Sequence, residues 1–170
     1  MDEGVATRDL AEDFKLAMRL LAATVTIVTA EQGGTRSGLT ATAVCSLTMA
    51  PPSLLVCINR ASHTHDFILR SSRFRVNLLA ADQRRVAEVF SGAHGHEGED
   101  RFTSAGIWEG CEPGMPGRLA GALASALCVL HQRFEIGTHS IFIGRVEEVH
   151  TDTARRPLIY ANRQFTTLAA

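Results

Sequence analysis

The chain has 170 residues, 45% of them apolar, with 17 Lys and Arg against 18 Asp and Glu, for a formal net charge of −1. This length predicts one domain spanning residues 1–170, and the balanced charge excludes the basic footprint of a nucleic-acid binder. No apolar run is long enough to span a bilayer. The acidic start, Met1 to Asp13, lacks the basic and apolar regions of a signal peptide. Cys45, Cys57, Cys111 and Cys128 form no C-x-x-C pair, so free thiols in a cytoplasmic protein are expected, with neither membrane nor nucleic acid as a partner.

Residues 1–8 read as a flexible tail. Leu10, Phe14, Ala17, Met18 and Leu21 then follow helical spacing, predicting a helix over Asp9–Leu21. Asp9 and Glu12 suit a capping box at its start. The period changes at Val25–Ala30, a β-branched run that reads as a strand. Gln32-Gly33-Gly34 supplies turn chemistry, and Arg36–Ser46 reads as one antiparallel return strand. Pro51-Pro52 interrupts pairing, because neither proline donates a backbone hydrogen bond. Ser53–Asn59 follows as a continuous apolar strand, Thr64–Arg70 as a short helix, and Phe74–Leu79 as another strand.

Asp82–Ser91 is predicted to be a helix with Asp82 as N-cap, Val86, Val89 and Phe90 on one face, and Gly92 past its end. Ala93–Pro116 is the least regular part, a long surface excursion with Trp108 as its large anchor. From Arg118 a strand pattern returns, with Leu119, Leu123, Leu127 and Val129 on one side of a period-2 reading. Gly137 breaks it, His139–His150 continues as a strand, and Pro157–Tyr160 with Gln164–Leu168 close the chain as a hairpin. The sum is a mainly β fold. Strands that do not alternate regularly with helices argue against a doubly wound sheet. A six- to seven-stranded antiparallel barrel of Greek-key type, closed or partly closed, with a few peripheral helices is the expectation.

The stretch Gly38 to Thr64 carries the chemistry. Gly38, Thr40, Ala41, Thr42, Ala43 and Ser46 leave a strand almost bare, so a flat aromatic ligand can approach its backbone closely. Ser62 and Thr64 offer hydroxyls at a helix start, where free N–H groups favour phosphate. Asn59 offers donor and acceptors. The same residues also describe an ordinary barrel strand followed by a helix cap.

These segments, in order, resemble the flavin reductase family with the FMN-binding split barrel, the small reductase components of two-component flavin monooxygenases. The resemblance rests on the small-residue strand into Ser46 and Pro51-Pro52, then Val56-Cys57-Ile58-Asn59 leading to Ser62-x-Thr64. It continues through Phe74-x-Val76-Asn77-Leu78-Leu79, Val89-Phe90-Ser91-Gly92 and Asp100-Arg101-Phe102. Gly137-x-His139-x-Ile141-Phe142-x-Gly144-x-Val146 and Pro157-Leu158-Ile159-Tyr160 complete it.

The resemblance implies a homodimer that passes a hydride from NADH or NADPH to FAD or FMN and supplies the reduced flavin to a partner monooxygenase. It places Thr40, Ala41, Thr42, Ala43, Val44, Cys45 and Ser46 beside the flavin ring and ribityl chain. Asn59, Ser62 and Thr64 would hold the ribityl–phosphate part, with Ser91 and Arg101 on the far side. Arg101 is equally readable as a surface partner of Asp100 or Glu99. His139 would lie by the nicotinamide as the catalytic-site histidine, in a positioning or polarising role. The family often has an acid just before this histidine, whereas this chain has Thr138. Tyr160 would line the nicotinamide side. Hydride chemistry belongs to the cofactors, and no G-x-G-x-x-G follows a strand, which agrees with a nicotinamide bound outside a Rossmann domain.

His63-x-His65 and His94-x-His96 lack the further ligands of a zinc site and read as exposed histidines. Glu97, Glu99 and Asp100 read as a solvated loop face. Cys45 reads as a small buried residue. No Ser-His-Asp arrangement is expected from chain order. Two other readings stay open: an enzyme that keeps its flavin bound and acts on an organic substrate, and a non-catalytic module that holds flavin or haem.

Overall fold

Asp9 caps the first helix. Its carboxylate accepts from the Ala11 amide at 3.1 Å, and α1 runs Leu10–Arg19. That amide is the second of the helix, not that of Glu12, and the Glu12 carboxylate accepts from Lys15 at 3.4 Å, so Asp9 is a plain N-cap and the expected capping box does not form. The computed structural model describes residues 9–168, and the tail expected over residues 1–8 lies outside them. No residue of α1 is buried; in the single chain its apolar stripe faces solvent, with Phe14 61% exposed.

The strands are β1 (Ala23–Thr24), β2 (Thr26–Gln32), β3 (Thr35–Ala41), β4 (Val44–Met49), β5 (Pro52–Asn59) and β6 (Arg73–Leu78). The later ones are β7 (Trp108–Glu109), β8 (Arg118–Leu119), β9 (Ala124–Ile136), β10 (His139–Thr151), β11 (Ile159–Ala161) and β12 (Gln164–Thr166). The helices after α1 are α2 (His63–Ser71), α3 (Arg84–Phe90) and α4 (Asp100–Ser104). Seven strands form one antiparallel sheet in the order β3-β2-β6-β9-β10-β5-β4.

That order explains the barrel. The two edge strands, β3 and β4, are consecutive in the chain and separated only by Thr42 and Ala43. Three residue steps from Ala41 to Val44 span at most about 11 Å. The sheet must therefore curl until its edges meet at this corner. They meet without pairing, because β4 bonds β5 instead. The result is a barrel split along one seam. The single strand expected over Arg36–Ser46 is thus two strands on opposite edges, with the bare residues Thr42 and Ala43 at the seam.

Other boundaries also moved. Pro51-Pro52 marks the break between strands as expected, at the β4–β5 turn with the Ala50–Pro51 peptide cis, but Pro52 already opens β5 opposite Met49. Asp82 is not a helix N-cap. It sits in a 3-10 turn, Ala81–Gln83, and its carboxylate pairs with Arg155. The strand expected from Arg118 is interrupted: Leu119 pairs with Trp108, Gly121 takes a left-handed φ of 65°, and β9 starts at Ala124. The closing hairpin forms as β11 and β12, somewhat shorter than expected.

β2 is buried on both faces from Thr26 to Glu31, so its polar residues need partners inside; the Thr26 and Thr29 hydroxyls donate to the Ala41 and Gly117 carbonyls. Val28 and Ala30 face the barrel interior with Val56, Ile58, Phe74, Val76 and Phe142. Val25 and Ile27 belong to a second core with α3, Phe102, Leu119 and Leu158. The excursion over 93–116 is more than surface: it contains α4, and Phe102 and Trp108 pack on Phe90 with ring centroids 5.0 and 5.4 Å away. Asn77, fully buried, ties both layers. Its Nδ2 donates to the Ile27 carbonyl, and its Oδ1 accepts from the Leu119 amide and the Ser125 hydroxyl.

Candidate functional site

Two grooves open along the β3 side of the seam, and they share Thr40 and Ser91. The first, of about 790 Å³, runs from Arg36, Gly38 and Thr40 past Ser62 and Thr64 to Phe90 and Arg101. The second, of about 670 Å³, is lined by Thr40, Ala41, Thr42, Ser91, Tyr160 and Phe165 among others. The structure therefore gathers eight of the expected site residues, Thr40, Ala41, Thr42, Ser62, Thr64, Ser91, Arg101 and Tyr160, along two adjoining grooves.

The phosphate-suited end is built by α2. Ser62 is its N-cap: its hydroxyl accepts from the Thr64 amide at 3.1 Å and keeps its own proton to donate. Thr64 is buried, with its hydroxyl 2.9 Å from that of Ser37 on β3. That bond locks the start of α2 to the barrel. Arg101 comes from α4 across the groove. Its Nε donates to the His96 carbonyl at 2.8 Å and one terminal nitrogen to the Gly38 carbonyl at 3.2 Å. Two donors are spent in this way and the rest remain for an anion. Arg101 forms no salt bridge with Asp100 or Glu99 among the described residues. Glu99 pairs instead with Arg36 at 2.8 Å from Nε, and this hydrogen bond raises the Arg36 pKa above its ordinary value. Arg36 also lies over the Phe102 ring at 4.5 Å. Asp100 bonds His96 at 2.6 Å, which holds its carboxyl below the usual range.

Gly38 is bare for a packing reason. A Cβ there would lie 2.7 Å from Phe90 Cε1 and 3.1 Å from Cδ1. The ring of Phe90 fills that space beneath β3. Thr40 and Ala41 are similarly engaged: the Thr40 hydroxyl donates to the Ala87 carbonyl at 2.7 Å, and Ala41 is buried in the barrel core. Thr42 and Ala43 are exposed at the corner, with Thr42 on the wall of the second groove.

The remaining expected residues sit elsewhere on the single chain. Ala43, Val44, Cys45, Ser46 and His139 line neither groove. Cys45 is exposed on the edge strand, not buried as the sequence led us to expect. Its neighbour Cys57 has a raised pKa, through burial first and the nearby Cys45 second. Asn59 caps its own turn, accepting from the Ala61 amide at 2.9 Å, and faces a third hollow with Thr138 and His65. His139 is exposed and stands directly opposite Asn59 across the β5–β10 ladder, with its Nδ1 2.9 Å from the Thr138 hydroxyl. The Thr138 hydroxyl is thus the neighbour of this ring nitrogen.

Sequence reasoning missed several groups. Ser37 and Arg36 alternate along β3 like any strand residues, and nothing local marks their partners. An Asp66–His65–Ser140 chain also exists, with 3.3 and 2.9 Å contacts. Ser140 is fully buried, so this is a tie between α2 and β10 rather than a nucleophile. Among the described residues, no group of three or more His, Cys, Asp or Glu is placed to hold a metal ion.

A seam of bare backbone beside hydroxyls, a helix start and a guanidinium is the donor set for a planar ring carrying a phosphate. Comparison with known proteins bears on the same point. Residues 18–169 match the model of the flavin reductase like domain. The chain belongs to this family. It is 42% identical over 157 residues to a flavin reductase (NADPH) of Lentzea aerocolonigenes, covering 91% of this chain and 88% of the relative. It is 37% identical over 163 residues to the reductase component of an FADH(2)-dependent resorcinol hydroxylase of a Rhizobium species, covering 95% and 89%. Among solved structures, it superposes on the NADH:FAD oxidoreductase SgcE6 of Streptomyces globisporus with a TM-score of 0.85 at 28% identity, covering 100% and 99%. This flavin reductase is accordingly an oxidoreductase that uses a nicotinamide dinucleotide and flavin.

Proposed function

We propose that this chain holds flavin along the β3–β4 seam and releases it reduced to a separate monooxygenase. One observation carries the reading: the two grooves adjoin at Thr40 and Ser91, so the phosphate-suited start of α2 and the aromatic wall of Tyr160 lie on neighbouring hollows. Ser62 and Arg101 hold the phosphate end there. Thr40, Ala41, Thr42 and the β4 residues Val44, Cys45 and Ser46 border the ring, with Ala43 at the corner. Thr64 keeps the ribityl side in register, Asn59 supports it by holding the turn that leads into α2, Ser91 closes the far side, and Tyr160 shapes the nicotinamide side. Bound flavin supplies the hydride-accepting ring, and the protein's task is to stack, orient and exclude water.

The chain works as one domain, and as a homodimer in the cytoplasm. The dimer is supported by what the single chain leaves bare. The apolar stripe of α1, Met49 at 77% exposed and Ile136 at 63% exposed are large apolar groups facing solvent. A second copy that covers such groups and brings new walls to His139 and β4 is part of this reading. The modest number of free cations in the first groove suits a flavin that leaves after each turnover. A reductase component in a two-component oxygenase is the role named for the Rhizobium relative, and we assign the same role here.

The site assignment is tested by fluorescence titration of FMN and riboflavin. The wild type binds FMN more tightly than riboflavin. The Ser62→Ala/Thr64→Ala variant raises the FMN dissociation constant about tenfold, as expected for losing one hydrogen bond to a charged group, and narrows the gap to riboflavin. Equal FMN affinity in variant and wild type rejects the assignment.

A further inference from the structure

The second groove holds a cation that the flavin site does not use. Asn162 and Arg163 form the turn between β11 and β12, and both are left-handed, with φ of 46° and 63°. Hairpin turns of this kind take Asn readily at the first position and Gly at the second, because a Cβ is strained there. Arginine occupies the glycine position. The turn is held in place, with the Asn162 amide donating to the Arg19 carbonyl at 2.6 Å. A strained residue kept at a site wall points to use of its side chain.

The Arg163 side chain lines the 670 Å³ groove beside Tyr160 and Phe165, whose rings pack at 5.1 Å. No described residue pairs with its guanidinium. The other arginine of this groove is neutralised: Arg84 Nε bonds Glu88 at 2.7 Å, and its guanidinium lies 5.3 Å from the Phe165 ring centroid. That hydrogen bond also holds the Glu88 carboxyl below its ordinary pKa. The groove wall therefore carries one uncompensated positive charge, on a pinned turn, next to an aromatic wall and adjoining the flavin trough at Thr40 and Ser91.

We propose that Arg163 binds a phosphate of the nicotinamide dinucleotide as it enters this groove. The inference rests on the flavin reductase reading, which assigns the first groove to the flavin phosphate and leaves this one for the other cofactor. A guanidinium matches a phosphate bidentately, whereas a neutral ribose offers it far less. Two phosphates of the dinucleotide share this chemistry: the pyrophosphate bridge and, in NADPH, the 2′-phosphate.

The test uses isothermal titration of the full chain with ADP-ribose and with 2′-phospho-ADP-ribose, which carry these phosphates but no nicotinamide. The variants are Arg163→Gly, which also relieves the left-handed backbone, and Arg163→Gln. We expect both variants to bind about tenfold more weakly, with FMN affinity unchanged. Loss for both probes assigns the pyrophosphate, and loss for the phosphorylated probe alone assigns the 2′-phosphate; either supports the proposal. Unaltered affinities, failure of the wild type to bind either probe, or an equal loss of FMN affinity overturns it. Failure of the flavin reductase reading would show separately, as wild-type protein that does not oxidise NADH or NADPH with free flavin.

Discussion

Replacing Gly38 with alanine tests why the seam strand is bare. The new Cβ would stand 2.7 Å from Phe90 Cε1, 3.1 Å from Cδ1 and 3.2 Å from the Val28 carbonyl oxygen. Carbon atoms rest about 3.5–4.0 Å apart, so the ring must retreat by about 1 Å. It has little room, because Phe102 meets it edge-on at 5.0 Å and Trp108 lies at 5.4 Å. Overpacking of this kind costs about 1–3 kcal/mol. Loss of glycine's freedom in the unfolded chain offsets about 0.4–1 kcal/mol of that. At about 2–4 °C per kcal/mol for a chain of this length, Tm falls by up to about 10 °C. The sharper assay is a double-mutant cycle by urea denaturation with Phe90→Leu, which removes the offending ring. The pair should be less destabilised than the sum of the single changes by about 1 kcal/mol. Strict additivity in the cycle refutes the packing argument. Phe90 and Gly38 both line the first groove, so the single variant should also bind FMN more weakly.

His139→Ala should slow the single-turnover reduction of bound flavin by on the order of tenfold while leaving flavin affinity nearly unchanged; an unchanged rate in stopped-flow absorbance removes His139 from the site. Arg75, buried among the strands, bonds Glu148 at 2.8 Å, and this bond lowers the Glu148 pKa below its ordinary 4.5. A depressed folded-state pKa means stability that is present above 4.5 and lost as pH falls through the folded value. Glu148→Gln should therefore lower Tm at neutral pH, with the difference shrinking as pH falls below 4.5; a difference that stays constant as the pH is lowered contradicts the ion pair's role.

The sequence carried the barrel because burial writes itself into period. β2, β5, β6 and β10 stood out as β-branched, apolar or alternating runs, and Gly137 marked the turn of the β9–β10 hairpin. It did not carry the seam. Thr42 and Ala43 are neither glycine nor proline, so nothing local says that the strand ends there and jumps to the opposite edge. Asp82 looked like a cap until Arg155, 73 residues later, took its carboxylate. The excursion over 93–116 looked like surface because Phe102 is an isolated apolar residue among polar neighbours, yet it packs on Phe90. The site divided along the same line. Ser62 was legible as a cap. Asn59 and His139 came from motif order, and the ladder sets them opposite each other. Ser37, Arg36 and Arg163 act through contacts 27 or more residues away in the chain or through a backbone angle, and no spacing announces either.

The central claim is that flavin passes through this protein as a diffusible partner of hydride transfer. The direct test is steady-state oxidation of NADH and NADPH by flavin-stripped protein, with FMN, FAD and riboflavin each varied up to excess. The account predicts turnover that saturates with free flavin and continues for many cycles. Oxidation limited to one flavin equivalent, or none despite bound flavin, would contradict it.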